Sequence, residues 1–347
     1  MLTRKNANLT LPNFLAARRH ITMNLDAVID SLHVVALPLH QEFRNVTYRE
    51  IAIFQNQFGW GEFSAFLEYD DNESARWLRA GLECASKPFP NQHREKVAIN
   101  ATIPAVKPKD ALAALARFEG CGTVKIKVAH PQQSFQEDLD RIIAIHREFS
   151  GKIRLDANGG WSLSEAAKHI NQIQELIGEA FEYVEQPVNS FQDLTKIRQQ
   201  VSVPIAVDEG IRKAGRISHL DEIADIAILK VAPMGGVYQA LAIAHEIDLP
   251  VVVSSALDSS IGIRAGLALA LAVPNLYGAC GLGTIDLMSA DVTQNPLRAE
   301  SGFMKERAIE VDSELLSRYA VDSNRYQWWR DRIERCWKLL EIEGELP

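Results

Sequence analysis

Thr123-Val124-Lys125-Ile126-Lys127-Val128 decides how this chain is read. Side chains alternate faces along a strand, so Lys125 and Lys127 emerge together while Val124, Ile126 and Val128 point the other way. One face is built for packing, and the other carries two ammonium groups. Crowding of like charges and burial both favour loss of a proton from an ammonium, which makes one of these lysines a candidate base near neutral pH. A solvated edge strand would also show Lys-x-Lys. What argues against an edge strand is the company it keeps: Leu155-Asp156-Ala157-Asn158, Val184-Glu185-Gln186-Pro187, Val207-Asp208-Glu209-Gly210 and Leu229-Lys230 each end an apolar run in an ionisable residue.

Outward from this strand the chain alternates. Strands are predicted at 97–100, 123–128, 153–156, 183–185, 205–208, 226–230, 251–254 and 277–280. Helices are predicted between them at 109–118, 135–149, from Ser162 onward, 191–200, 217–223, 237–247 and 261–271; Ser162 and Glu165 have the spacing of a capping box. Short apolar strands alternating with helices imply an α/β fold, a parallel barrel wrapped in helices. Upstream, strands at 32–37 and 48–55, a turn at Phe58-Gly59 leading into Trp60–Ser64 and a helix at 73–86 read as a separate α+β unit. The expected division is an extension without periodicity, read as disordered (1–22), a small α+β domain (23–95), the barrel (96–290) and a C-terminal segment (291–347). The last segment holds a Trp-rich helix at 323–340, expected to pack back on the α+β domain.

Among the 347 residues 47% are hydrophobic and 24% charged, the balance of a soluble globular protein. A net charge of −8 argues against nucleic acid or an anionic membrane as the main partner and for a small molecule. The four cysteines, Cys84, Cys121, Cys280 and Cys336, form no Cys-x-x-Cys pair and fit a reducing compartment. The apolar run at 265–273 is too short to span a bilayer, and the N-terminus has no apolar stretch after its basic residues. A cytoplasmic location is expected.

In a parallel barrel the chemistry sits at the C-terminal strand ends. Lys127, Asp156, Glu185, Asp208 and Lys230 fall at the ends of predicted strands two to six. Any one of the carboxylates would serve as the N-cap of the next helix. Converging from consecutive strands, they would repel one another without a divalent cation, and hard oxygen ligands suit Mg²⁺ or Mn²⁺. Strands two and six lie on opposite sides of a barrel, so Lys127 and Lys230 are expected to face each other across the cation. That arrangement suits proton abstraction next to a carboxylate.

These residues resemble the enolase superfamily, and within it the o-succinylbenzoate synthase family of actinobacterial type. The resemblance covers about residues 32–300, most specifically at Phe43-Arg44, Gly59-Trp-Gly-Glu-Phe-Ser64, Tyr69-Asp-Asp71, Ser254-Ser-Ala-Leu-Asp-Ser-Ser-Ile-Gly262 and Cys280-Gly-Leu-Gly-Thr284. It implies a capping domain over a (β/α)7β barrel, with Asp156, Glu185 and Asp208 as Mg²⁺ ligands. It implies syn dehydration of 2-succinyl-6-hydroxy-2,4-cyclohexadiene-1-carboxylate to 2-succinylbenzoate, through an enediolate, in menaquinone biosynthesis. Lys127 would be base and then acid, Lys230 the cation stabilising the enediolate, and Lys125 the residue that lowers the pKa of Lys127. Asn158 would support the site. Arg44, Ser64, Ser254, Ser255, Leu257, Asp258 and Gly262 would shape the succinyl pocket. Asn45 stands where the resemblance leads one to expect Gly.

Two relatives in chemistry compete. An N-succinyl amino acid racemase would use both lysines as bases and needs the same metal and pocket. A dipeptide epimerase would carry Asp-x-Asp after the last strand, where this chain has Gly281-Leu282-Gly283-Thr284. A non-catalytic barrel is disfavoured by the complete set of lysines and carboxylates. Gly281-Leu-Gly283 reads as a tight barrel turn rather than a phosphate cradle, and His130 as a surface turn before Pro131.

Overall fold

The computed structural model describes residues 24–44, 46–208, 211 and 220–347. The expectations for residues 1–22, Asn45, Glu209 and Gly210 lie outside them, as do residues 217–219 of the helix expected at 217–223; the described remainder holds a 3-10 turn, Leu220–Glu222.

After a short helix, Leu25–Asp30, come three antiparallel strands in the order β1 (His33–Phe43), β2 (Val46–Asn56), β3 (Gly59–Phe63). The helix Asp71–Ser86 starts where the Asp70 side chain accepts from the Glu73 amide. Its apolar face, Ala75, Trp77, Leu78, Leu82 and Ala85, shares a core with Val34, Phe54 and Phe63. Gly61 and Gly81 let helix and β3 meet backbone to backbone, because a Cβ on either would collide with the other element's carbonyl region. Trp329, Ile333, Cys336 and Leu340 of the last helix, Ser323–Glu343, complete the same core. Both ends of the chain therefore build this cap.

β4 (Lys96–Ala98) precedes seven parallel strands: β5 (Ala101–Ile103), β6 (Thr123–Lys127), β7 (Lys152–Asp156), β8 (Phe181–Glu185), β9 (Ile205–Val207), β10 (Ile226–Lys230) and β11 (Val251–Ser254). They are hydrogen-bonded in sequence order. Residues 276–281 close the barrel through bridges: Val251 with Leu276, Ser254 with Gly281, and Ile99 with Cys280. This is the parallel barrel expected from the alternation, in the (β/α)7β form the resemblance implies. One element differs. The strand expected at 97–100 divides, because β4 pairs antiparallel with β12 (Phe303–Lys305) outside the barrel and the barrel strand begins only at Ala101.

Val124 and Ile126 pack outward with Ile142 and Ile145 of the helix Phe135–Glu148, which opens on a Ser134–Glu137 capping box. Inside the barrel, Tyr183, Ala206, Ile226, Ile228 and Val252 form a separate apolar plug. Arg154 of β7 is buried beside it, its guanidinium carbon 4.7 Å from the Tyr183 ring centroid, and the ionisable strand ends lie farther along the same strands.

Candidate active site

The site follows from strand register. Lys127 is paired with Asp156 across β6 and β7, and Asp156 with Glu185 across β7 and β8. Parallel pairing aligns these side chains on the inner face. Lys127 Nζ lies 2.6 Å from Asp156 Oδ2 and 2.7 Å from Asn158 Oδ1. Lys125 Nζ, one layer down, lies 2.9 Å from Glu185 Oε2 and 3.5 Å from Asp156 Oδ2. Lys230 donates to Asp208.

Two residues beyond the strands hold this register. Asn158 adopts a left-handed φ of 45°, and its amide donates to Asp156 Oδ1 at 3.2 Å. Asn is among the residues that tolerate this region. Gln186, with φ of 42°, accepts the Asp208 amide on Oε1 at 3.1 Å and donates through Nε2 to the Val188 carbonyl at 2.9 Å. Its side chain thus ties the end of β8 to Asp208.

The electrostatics are those of buried acids crowded together. Burial, then the neighbouring Asp156 charge, pushes the Glu185 carboxyl up to about 7. Burial opposes ionisation of Asp156 as well, but Lys127 and Lys125 outweigh it and hold that carboxyl below the usual range. Burial would lower Lys125, yet Glu185 and Asp156 prevail and hold it above the ordinary lysine value. These two carboxylates therefore keep Lys125 an ammonium. Lys127 is half-exposed toward the cavity, whereas Lys125 is buried.

Lys125, Lys127, Asp156, Asn158 and Lys230 line one cavity. Ser254, Ser255, Ala256 and Leu257 form its far wall, and the cap closes it with Phe43, Arg44 and Phe66. Asp208 lines an adjoining recess with Lys230, Arg44 and Tyr69. A cleft of about 980 Å³ leads outward from Lys127 and Asn158 past Tyr69 and His130. Three residues expected in the pocket are not on its wall. Ser64, Asp258 and Gly262 line a small void behind it, next to Glu62, where the end of β3 meets the loop after β11 and the helix Ser260–Ala272.

Several wall residues escaped sequence reasoning. Phe66, Thr102 and Thr284 line the cavity, and Thr284 Oγ1 lies 2.8 Å from Ser255 Oγ. Thr284 and Gln186 stood inside quoted motifs without a role. None is ionisable, so none ends an apolar run in a charge, which was the signal that found the rest.

Among the described residues, no three His, Cys, Asp or Glu side chains stand gathered as a ready metal cage. Lysine ammonium groups neutralise each of the three carboxylates instead. The donor set nevertheless fits a hard divalent cation. The carboxylates end neighbouring strands, and Glu185 Oε1 is buried without a hydrogen-bond partner. A buried carboxyl oxygen without a partner is free to accept a positive ligand.

Comparison with known proteins agrees with this geometry. Residues 34–85 match the enolase N-terminal domain-like family and residues 109–308 the enolase C-terminal domain-like family. The chain is 46% identical over 318 residues to a protein of Mycobacterium leprae named o-succinylbenzoate synthase, covering 91% of this chain and 94% of that one. It is 46% identical over 322 residues to the protein of the same name from Mycolicibacterium smegmatis, covering 91% and 98%. The crystal structure of muconate lactonizing enzyme from Pseudomonas fluorescens superposes with a TM-score of 0.72 at 16% identity, covering 84% of this chain and 98% of that one; that likeness is one of fold. By fold, by domain matches and by these relatives, the chain belongs to the enolase superfamily and, within it, to the o-succinylbenzoate synthase family.

Proposed function

We propose that the chain dehydrates 2-succinyl-6-hydroxy-2,4-cyclohexadiene-1-carboxylate to 2-succinylbenzoate with Mg²⁺, Mn²⁺ being a substitute, in menaquinone biosynthesis. The observation that carries this reading is the alignment of Lys127, Asp156 and Glu185 on adjacent strands, with Lys230 in the same cavity. Asp156, Glu185 and Asp208 would hold the cation, which when bound supplies positive charge to the substrate carboxylate.

Lys127 takes the proton from the ring carbon that bears the carboxylate, and the electron pair of that C–H bond passes into the carboxylate group. Lys230 meets the enediolate as a fixed cation that remains protonated. The Lys127 ammonium, still on the same face, gives its proton to the departing ring hydroxyl. The C–O bond breaks, water leaves and the ring becomes aromatic. One residue thus acts first as base and then as acid, which makes the elimination syn. Lys125 remains an ammonium two residues away on the same strand face, held by Glu185 and Asp156. Asn158 orients Lys127, and Arg44, Ser254, Ser255 and Leu257 enclose the succinyl arm, with Ser64, Asp258 and Gly262 supporting them from behind.

The same reading divides the chain into a cap (23–95), a barrel (96–290) and a returning segment (291–347), and places it in the cytoplasm. No helix among the described residues is long and apolar enough to cross a membrane. Purified protein incubated with Mg²⁺ and the cyclohexadiene tests the proposal. Formation of 2-succinylbenzoate supports it, and absence of product under conditions that keep the protein folded contradicts it.

A further inference from the structure

We propose that Arg49 is a positioning residue of the substrate pocket: from β2 of the cap it locks the pocket's roof, Phe66, to the barrel loop at Ala256 and Leu257. The inference rests on the reading of the pocket given above. Arg49 is 3% exposed, and its hydrogen bonds all go to backbone carbonyls. Nε donates to Leu257 at 3.0 Å, and Nη2 to Ala256 at 3.5 Å and to Ser64. Two of these carbonyls belong to the barrel and one to the cap.

Leu257 shows why such a clamp is needed. It is a buried leucine with a φ of 66°, a left-handed conformation that bulky side chains resist. A peptide in that conformation relaxes unless its surroundings hold it, and the Arg49 guanidinium bonds the Leu257 carbonyl directly. Ala256 and Leu257 in turn form the far wall of the catalytic cavity.

The roof is fixed by the same group. The Arg49 guanidinium carbon lies 4.0 Å from the Phe66 ring centroid, and that of Arg44 lies 4.1 Å from it. Two guanidinium groups share one ring, and Arg44 also bonds the Tyr69 hydroxyl at 2.8 Å. Arg49 therefore connects the tip of the cap, through Phe66, with the barrel loop.

Glu62 on β3 and Asp258 on the same loop are the acidic groups nearest this guanidinium, both buried. Glu62 grips the loop from its other end. It accepts from Ser64 Oγ at 2.7 Å, from Ser259 Oγ at 2.5 Å and from the Gly262 amide at 3.1 Å. A lysine in place of Arg49 keeps the charge but lacks the planar fork that reaches separate carbonyls while stacking on a ring.

The test compares wild type with Arg49→Lys, Arg44→Ala and the double variant, reading melting temperature, dehydration kinetics with Mg²⁺ and amide hydrogen exchange. Arg49→Lys is expected to raise KM roughly tenfold with a smaller change in kcat, because a displaced wall weakens binding more than it affects the lysine chemistry. Exchange should rise in residues 255–259 and stay unchanged in β6. The double variant should cost less than the product of the singles, since both act through Phe66. Folded Arg49→Lys with wild-type KM and wild-type exchange overturns the inference, as does a strictly multiplicative double variant. If Arg49→Lys does not fold, Phe66→Leu takes its place and is expected to raise KM likewise; an unchanged KM there overturns the inference. Faster loop exchange in a protein whose wild type does not dehydrate the cyclohexadiene would uphold the clamp and defeat the proposed reaction instead.

Discussion

Lys127 and Asp156 stand opposite one another on adjacent parallel strands, and their side chains meet at 2.6 Å. The proposed base and a proposed metal ligand are thus partners before substrate or cation arrives. A cation held at Asp156 would therefore have to share that carboxylate with Lys127.

Lys127→Ala should reduce kcat by about two to four orders of magnitude, the range of a lost general acid–base group. Lys127→Arg should fail as well, because a guanidinium keeps its proton. Circular dichroism should show both variants folded. Turnover by either variant near the wild-type rate would remove Lys127 from its assigned role.

A chelator should abolish activity, and Mg²⁺ or Mn²⁺ should restore it. Added Mg²⁺ should also raise the melting temperature of chelator-treated protein, since a cation bound only by the folded state stabilises it. Asp208→Asn should shift the Mg²⁺ midpoint up at least roughly tenfold by removing a ligand charge. Full activity after metal removal would contradict the assignment of Asp156, Glu185 and Asp208.

Glu62 gives a pH signature. Burial, then the charge of Asp258, pushes its carboxyl from an ordinary 4.5 up to about 8. Between these values the folded protein holds a proton that the unfolded chain has released. Stability from this group is therefore present at low pH and lost as pH rises through that window. The melting temperature should fall between pH 5.5 and 8, and Glu62→Gln should flatten the fall while keeping its contacts with Ser64 and Ser259. Equal slopes in both proteins would show that Glu62 is ionised throughout.

Arg44→Ala should raise KM several-fold, or lower kcat/KM, with little change in melting temperature. Arg44 is exposed, and its contacts are the Phe66 ring and the Tyr69 hydroxyl at the cavity roof. Unchanged kinetics would place the cap's tip away from the substrate.

The parts of the site legible in the sequence were those written in charge at period two. Lys125 and Lys127 share a face because strands alternate, and Asp156, Glu185 and Lys230 end apolar runs because buried parallel strands are apolar until they reach the barrel mouth. The division of 97–100 into β4 and a later barrel strand was not legible. β4 has three residues, and the β12 segment that captures it lies far along the chain. Nor did spacing reveal that Ser64, Asp258 and Gly262 stand behind the pocket wall, because motif position carries no depth. Arg49 was invisible for a related reason: a buried arginine bonded to carbonyls resembles, in sequence, any polar residue on a half-solvated strand.

Side-by-side reactions in D₂O with Mg²⁺ test the central claim that Lys127 works alone as base and acid while Lys230 only stabilises charge. One reaction contains the cyclohexadiene and the other an N-succinyl amino acid, each followed for product and for deuterium at the α-carbon. The account predicts rapid formation of 2-succinylbenzoate and little α-deuterium in the amino acid. Efficient exchange with inversion of the amino acid, together with slow dehydration, would contradict it and make the two lysines the paired bases of a racemase.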